Sequence, residues 1–281
     1  MEKKLFEGAL HATLYSKFRP NPPANLISFI ISYLQEKYAG PLNLALDVGC
    51  GSGQSTRLLS PYFKRVIGSD ISEAQIANAK QDTQASNISY ILKTASSLEA
   101  EDTSVQLITA CQAAHWFDLP QFFQEANRVL VPHGVLALMG YVLPCPFNPT
   151  APDDRAAFMD VVDQIYHTTG PWWDSSRVDV DREYDRITLP YPDALYMRGK
   201  DSEQFTATVN GTVEEFLGYL QTWSGLQAYI KDRGQAECNK LLLHARLRLL
   251  DLLGQQEAGG SAALNWSFRY FLLISTKPKE S

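Results

Sequence analysis

Apolar runs of strand length alternate with amphipathic helical segments along the first half of the chain. The runs occupy 44–48, 66–69, 88–92, 105–109 and 135–141. Between and before them, apolar residues recur at helical spacing, as in the series Leu26, Ile27, Ile30, Ile31 and Leu34. This strand–helix alternation predicts an open α/β sheet whose strands are mostly parallel.

The pattern changes after Tyr141, where four prolines crowd into 144–152. Helical stripes follow at 158–165, 213–220 and 238–249, and 265–276 is a long β-type run suited to an edge strand. We therefore predict one domain over 1–281. It would comprise a ligand-binding core at 1–143, a helical cap at 144–255 that covers the sheet, and a C-terminal strand at 256–281 that returns to the sheet.

Composition and charge narrow the class of protein. The 281 residues are 45% hydrophobic and 20% charged, and the net charge of −6 argues against sequence-independent binding of nucleic acid. The longest apolar runs are too short to cross a membrane, and no secretory signal follows Met1. The four cysteines are far apart and lack metal-ligand spacing, which favours reduced thiols in a cytoplasmic protein without a metal site.

The first apolar run ends in the pattern D-x-G-x-G-x-G, formed by Asp47, Gly49, Gly51 and Gly53. Asp70 ends the second run. A strand, a glycine turn and an acid about 20 residues further on form a nucleoside or dinucleotide cradle. A dinucleotide fingerprint would need G-x-G-x-x-G, so the spacing disfavours a nicotinamide-dependent dehydrogenase. The glycine turn has no basic residue before Arg57, which favours a cationic ligand without phosphate. The other alternative is a turn with a purely structural role.

The glycine turn resembles motif I of the class I S-adenosylmethionine-dependent methyltransferases. Three more segments match this pattern: Tyr15-Ser-Lys-Phe-Arg-Pro20, Ala113-Ala-His-Trp-Phe-Asp118 and Leu130-Val-Pro-His-Gly134. Together they make the chain similar to the methyltransferase type 11, trans-aconitate methyltransferase-like family, whose members methylate carboxylates of small acids. The match is good over 10–141. It implies a Rossmann-like, seven-stranded, mostly parallel sheet with a helical cap, and S-adenosylmethionine as cofactor.

The resemblance and the cofactor's chemistry assign roles to residues. Asp70 is expected to accept hydrogen bonds from the ribose hydroxyls, and Asp47 to attract the methionine ammonium group. Glycines let the backbone approach the ligand closely. The remaining predicted cofactor contacts are Tyr15, Ile71, Gln112 and, beside the adenine, Ala95 and Ser96. Since 94–97 contains no acid, the adenine amino group would need a hydroxyl, a backbone atom or Glu99.

A second group of residues is predicted to bind the methyl acceptor. Arg19 and Arg177 would bind a carboxylate, and Trp116 and Trp173 would line the pocket. A carboxylate is ionised near neutral pH, so its methylation needs no base. His115 is either a packing residue or, with an amine or phenol acceptor, a candidate base.

The predicted function is methyl transfer to a carboxylate oxygen of a small organic acid. The alternatives are a methyltransferase for an amine, phenol or lipid-like acceptor, and a non-catalytic, cofactor-binding regulatory protein. The expected partner is a small molecule, with no nucleic acid and no membrane insertion, and the oligomeric state is left open.

Overall fold

Five parallel strands form the half of the sheet that carries the glycine turn. In the computed structural model, which describes residues 19–279, they run in the order β3-β2-β1-β4-β5. Their bounds are β1 (Leu44–Val48), β2 (Arg65–Asp70), β3 (Ile88–Leu92), β4 (Val105–Cys111) and β5 (Leu130–Tyr141). Every residue of β1 is buried, as expected for a central strand covered on both faces.

The connecting helices are α1 (Ala24–Lys37), α2 (Gln54–Leu59), α3 (Glu73–Asp82) and α4 (Leu119–Val129). The side chain of Ser72 accepts a hydrogen bond from the Gln75 amide and caps α3, as predicted. After β1 the chain builds outward through β2 and β3, and then returns to place β4 on the other side of β1. Ligands of open α/β sheets bind at such a reversal, beyond the carboxyl ends of the strands.

The last strand, β9 (Ala263–Thr276), lies inside the sheet and not at its edge, which makes the predicted edge position wrong. One side of β9 pairs with β5 and with β6 (Cys145–Phe147). The other side pairs with β7 (Leu195–Met197) and β8 (Thr206–Thr212), all antiparallel. The part of the chain described here thus has nine strands in one sheet, where the sequence predicted seven.

The segment predicted to be a helical cap contains these three extra strands as well as helices. Its helices are α5 (Ala156–Thr168), α6 (Arg177–Asp181), α7 (Val213–Leu220), α8 (Ser224–Arg233) and α9 (Gln235–Leu253). Thr212 and Glu215 form a complete capping box at the start of α7. Side chains of α5, α7 and α9 share one apolar core with α1, β5 and β9. The insertion is therefore packed onto the sheet, while the proposed division at 143 and 255 stays a prediction.

Two features are absent from residues 19–279, the part of the chain that the structure describes. Within that range no helix combines the length and apolarity that a membrane crossing requires. The same residues contain no cluster of three or more His, Cys, Asp or Glu side chains that could hold a metal ion.

The interior position of β9 leads to a stability prediction. Leu273 is fully buried and pairs with both β5 and β7, whereas Leu195 on β7 is 44% exposed. We expect Leu273→Ala to lower the free energy of unfolding by about 2–5 kcal/mol because it leaves a cavity, and Leu195→Ala to lower it by less than about 1 kcal/mol. Urea denaturation of both variants measures the difference, and equal losses would contradict the interior placement.

Candidate active site

The glycine turn between β1 and α2 depends on backbone conformations that other residues rarely adopt. Gly49, Gly51 and Gly53 have φ angles of 69°, 54° and 81°. A Cβ on Gly49 would lie 2.5 Å from the Cβ of Ala113, and a Cβ on Gly53 would overlap the phenol of Tyr90. The turn therefore has room for neither side chain, and its backbone is left bare toward the carboxyl end of the sheet.

Asp47, the last acid before the turn, is completely buried. Its Oδ2 accepts hydrogen bonds from the hydroxyls of Ser55 at 2.7 Å and Thr56 at 2.6 Å. Its Oδ1 accepts one from Thr109 at 2.8 Å. Burial raises the pKa of Asp47, and the three hydroxyls oppose that shift. The carboxylate thus connects β1 to α2 and to β4 through hydrogen bonds. Its expected attraction for a methionine ammonium group stays a prediction.

Asp70 ends β2 beside the turn and is partly exposed. Its Oδ2 accepts a hydrogen bond from the Gly51 amide and its Oδ1 one from the Ser72 amide, both at 2.9 Å. Burial raises the pKa of Asp70, while these amides hold it down. An ionised carboxylate has about four acceptor positions, so both oxygens keep capacity for ligand hydroxyls. Ile71 follows Asp70 and is also partly exposed.

A cleft lies over the turn. It is lined by Pro20, Pro22, Gly49, Cys50, Gly51, Gln54, Ser55, Cys111, Gln112 and Tyr141. A bare glycine backbone beside a carboxylate with spare acceptor capacity fits a nucleoside with two ribose hydroxyls. This cofactor cleft brings together three of the predicted contacts: Gly49, Gly51 and Gln112.

The other predicted cofactor contacts lie outside the lining of the cofactor cleft, including Asp47, Gly53, Asp70 and Ile71. Ala95 is buried in the apolar core, and Ser96 is partly exposed. Glu99 pairs with Lys93 at 3.0 Å and lines a different hollow, next to Arg65. Tyr15 lies outside the described residues. The adenine contacts and Tyr15 therefore remain predictions.

Gln112 lies between two cavities and lines both of them. It has a φ of 55°, which is uncommon for a residue other than glycine. Its Oε1 accepts a hydrogen bond from the backbone N–H of Tyr141 at 2.8 Å, and its Nε2 donates to the Tyr141 carbonyl at 3.3 Å. The side-chain amide thus continues the hydrogen bonding between β4 and β5 beyond the point where β4 ends.

We call the second cavity the acceptor pocket. All five residues predicted for catalysis or acceptor binding line it: Arg19, His115, Trp116, Trp173 and Arg177. They come from the segment before α1, from a 3₁₀ turn after β4, and from the insertion. Asp174 and Ser224 complete the pocket with Gln112, and the sequence pattern had assigned no role to either.

Both arginines of the acceptor pocket are held by neighbouring side chains. Arg19 donates from Nη1 to the Tyr141 hydroxyl at 2.6 Å and from Nη2 to the Thr222 carbonyl at 3.1 Å. Arg177 donates from Nε to Asp181 at 2.9 Å, and its guanidinium carbon lies 5.1 Å from the centre of the Trp173 ring. Such contacts fix the direction of a guanidinium without removing its charge.

His115 is neutral at physiological pH. Burial and the positive charge of Arg177 lower its pKa to about 3, against a smaller opposing effect of Asp174. Its Nδ1 lies 3.0 Å from the hydroxyl of Tyr184, and its ring centre lies 4.6 Å from that of Trp116. An imidazole with so low a pKa is a weak base at neutral pH.

The turn geometry predicts unequal effects of two glycine substitutions. Gly49→Ala should lower the free energy of unfolding by about 2–4 kcal/mol, since it combines a left-handed backbone with a clash against Ala113. A Cβ on Gly170 meets nothing within 4 Å, so we expect Gly170→Ala to change stability by less than about 1 kcal/mol. Thermal unfolding of both variants tests this, and a tolerated Gly49→Ala would refute the described turn.

Comparisons with known proteins agree with this geometry. Residues 46–138 match a family model described as a methyltransferase domain. A Dictyostelium discoideum protein, provisionally named a methyltransferase, is 32% identical over 264 residues, which cover 94% of this chain and 92% of that protein. A Saccharomyces cerevisiae protein, provisionally named an S-adenosylmethionine-dependent methyltransferase, is 30% identical over 137 residues, 46% of this chain and 45% of its own length.

A solved structure from Anaeromyxobacter dehalogenans, provisionally titled a type II methyltransferase, is similar over almost the whole fold. It is 27% identical, has a TM-score of 0.72, and the match covers 94% of this chain and 100% of that one. The predicted Rossmann-like fold is thereby confirmed, and the dehydrogenase alternative is ruled out. The chain belongs to the class I S-adenosylmethionine-dependent methyltransferases.

Proposed function

We propose that the protein transfers the methyl group of S-adenosylmethionine to a carboxylate oxygen of a small organic acid. The observation that carries this proposal is the acceptor pocket, which contains two arginines and shares Gln112 with the cofactor cleft. The motif resemblance to trans-aconitate methyltransferase-like proteins supports the same acceptor class. Four free cysteines support a reducing, cytoplasmic location.

In this proposal the glycine turn and Asp70 bind the cofactor, which supplies an electrophilic methyl group on a positively charged sulfur. Gly49 and Gly51 allow the backbone to approach the ligand without a Cβ in the way. The Asp70 carboxylate, held by two amides, accepts the ribose hydroxyls through its remaining lone pairs.

The acceptor side of the reaction requires alignment and not proton removal. A carboxylate is already ionised at neutral pH, so it can attack without a general base. Arg19 and Arg177 would bind and orient it through charge-assisted hydrogen bonds. Correct positioning of two reactants can lower a barrier by about 7–11 kcal/mol. The low pKa of His115 suits this chemistry, because a weak base is sufficient when no proton has to leave.

An amine acceptor is the second candidate, and Asp174 is the observation that favours it. This carboxylate lines the same pocket as the two arginines and would attract a cationic group. However, methylation of an ammonium group requires loss of a proton, and His115 is too weakly basic to remove it efficiently.

A transfer assay with methyl-labelled S-adenosylmethionine distinguishes these candidates. The purified protein would be incubated with separate panels of small mono-, di- and tricarboxylic acids, amines and phenols. We expect label in the acids as methyl esters, which mild alkali hydrolyses to labelled methanol. Alkali-stable label in amines alone would favour the second candidate. Cofactor binding without transfer to any panel would instead favour a non-catalytic protein.

Asp70 provides a test of the cofactor cleft that is independent of the acceptor. Loss of hydrogen bonds to a charged acceptor should weaken binding of S-adenosylhomocysteine to Asp70→Ala by roughly 10- to 100-fold. Asp102, which is 75% exposed and pairs with Arg128, serves as the control, and Asp102→Ala should leave binding unchanged. Isothermal titration measures both affinities, and equal affinities would remove Asp70 from the site.

Arg177 provides the corresponding test of the acceptor pocket. Arg177→Ala should raise the KM for an acidic acceptor by roughly 10-fold or more, because a charge-assisted hydrogen bond is lost. Its affinity for S-adenosylhomocysteine should stay within about twofold of that of the parent protein. Arg186, 57% exposed and in the same insertion, is the matched control. If Arg177→Ala raised the KM for the acceptor and weakened S-adenosylhomocysteine binding by the same factor, Arg177 would have no specific role in binding the acceptor.

A further inference from the structure

The side chain that fixes His115 in the acceptor pocket is the phenol of Tyr184. We infer that Tyr184 is a positioning residue: it donates its hydroxyl proton to Nδ1 of His115 and thereby keeps the ring proton on Nε2, as a donor toward the methyl acceptor. The identity of that acceptor rests on the proposed function, whereas the tautomer does not.

The direction of the Tyr184–His115 hydrogen bond follows from the burial of the phenol. Tyr184 is completely buried, and its hydroxyl has one proton to donate. Among the described residues, the acceptor within hydrogen-bond distance of this hydroxyl is Nδ1 of His115, 3.0 Å away. If Nδ1 carried the ring proton, the buried hydroxyl would have no acceptor for its own proton, which is costly. Nδ1 is thus the acceptor, and the proton of a neutral imidazole must be on Nε2.

Tyr184 is held rigidly in the place that this role requires. It is completely buried, and its ring packs edge-on against Phe271 with centres 4.9 Å apart. Both Glu183 and Tyr184 have left-handed backbones, with φ angles of 54° and 56°. This uncommon conformation is supported by Arg198, which donates to both of their carbonyls, and by the pairing of Arg269 with the Glu183 carboxylate at 2.7 Å. Strained backbone maintained by such contacts is frequent at functional sites.

The surroundings of His115 favour a neutral donor. The charged and titratable groups that face it are Arg177, Asp174 and Tyr184, and Arg19 shares the pocket. Among the described residues, no side chain or backbone group forms a hydrogen bond with Nε2. A neutral N–H there can bind one oxygen of a carboxylate while the other oxygen attacks. No proton moves in this arrangement, so the imidazole needs no change of tautomer during turnover.

The tautomer can be measured directly by long-range ¹H–¹⁵N correlation NMR of the ¹⁵N-labelled full chain at pH 7. The protein has five histidines, and the signals absent from His115→Gln identify those of residue 115. We expect the pattern of an imidazole protonated on Nε2 alone. A pattern with the proton on Nδ1, or an average of the two tautomers, would overturn the inference, and neither result depends on any methyl acceptor.

Tyr184→Phe tests whether the phenol hydroxyl is responsible. Removal of the hydroxyl should shift the Nδ1 signal of His115 toward that of a ring nitrogen without a hydrogen bond. Tyr191 is the matched control, since it is also buried in the same apolar cluster and its hydroxyl lies near Asn127, away from His115. Tyr191→Phe should leave the Nδ1 signal in place. An unchanged signal in Tyr184→Phe would show that the hydroxyl does not hold the ring, whereas inactivity of the parent protein toward acids would refute only the proposed function.

Discussion

The buried carboxylate of Asp47 is the interaction on which the architecture of the site depends. An ionised group without contact to water is costly unless its lone pairs are satisfied. Here, hydroxyls of Ser55, Thr56 and Thr109 supply the hydrogen bonds. Two of them belong to α2 and one to β4, so the carboxylate can be satisfied only if α2 starts immediately after the glycine turn and β4 lies beside β1. The requirement of one buried charge thus fixes the position of the turn relative to the strand reversal where the cofactor cleft forms.

A second polar constraint couples this cleft to the acceptor pocket. Beyond the end of β4, the backbone N–H and carbonyl of Tyr141 have no strand partner on that side. The side-chain amide of Gln112 accepts a hydrogen bond from the N–H and donates one to the carbonyl. The same residue forms part of the wall of both cavities. Tyr141, in turn, lines the cofactor cleft and accepts a hydrogen bond from Arg19 of the acceptor pocket. The two cavities are therefore joined by a short, polar, hydrogen-bonded boundary, which suits a reaction whose two reactants must be closely aligned.

The sequence predicted those elements whose signals are local. β1 has the predicted bounds, since the apolar run of a fully buried parallel strand stands out from its surroundings. β3 also has the predicted bounds, although only Tyr90 of its five residues is buried. β8 was missed because its residues alternate between exposed and half-buried positions and form no apolar run. Without β7 and β8, β9 looked like an edge strand. Tyr184 received no chemical role because its contact with His115 joins positions 69 residues apart, and no spacing rule covers that distance.

The same difference between local and distant signals explains why the cofactor can be identified and the acceptor must be proposed. Most of the residues that line the cofactor cleft come from the turn after β1, the start of α2 and the end of β4, all within the matched methyltransferase domain at 46–138. The acceptor pocket also needs Arg19, before that domain, and Trp173, Asp174 and Arg177, after it. These contributions can change without disturbing Asp47, the glycines or Asp70. A chain can therefore keep the chemistry of methyl transfer while its acceptor changes, so the acceptor has to be argued from the charges and hydrogen bonds of this particular pocket.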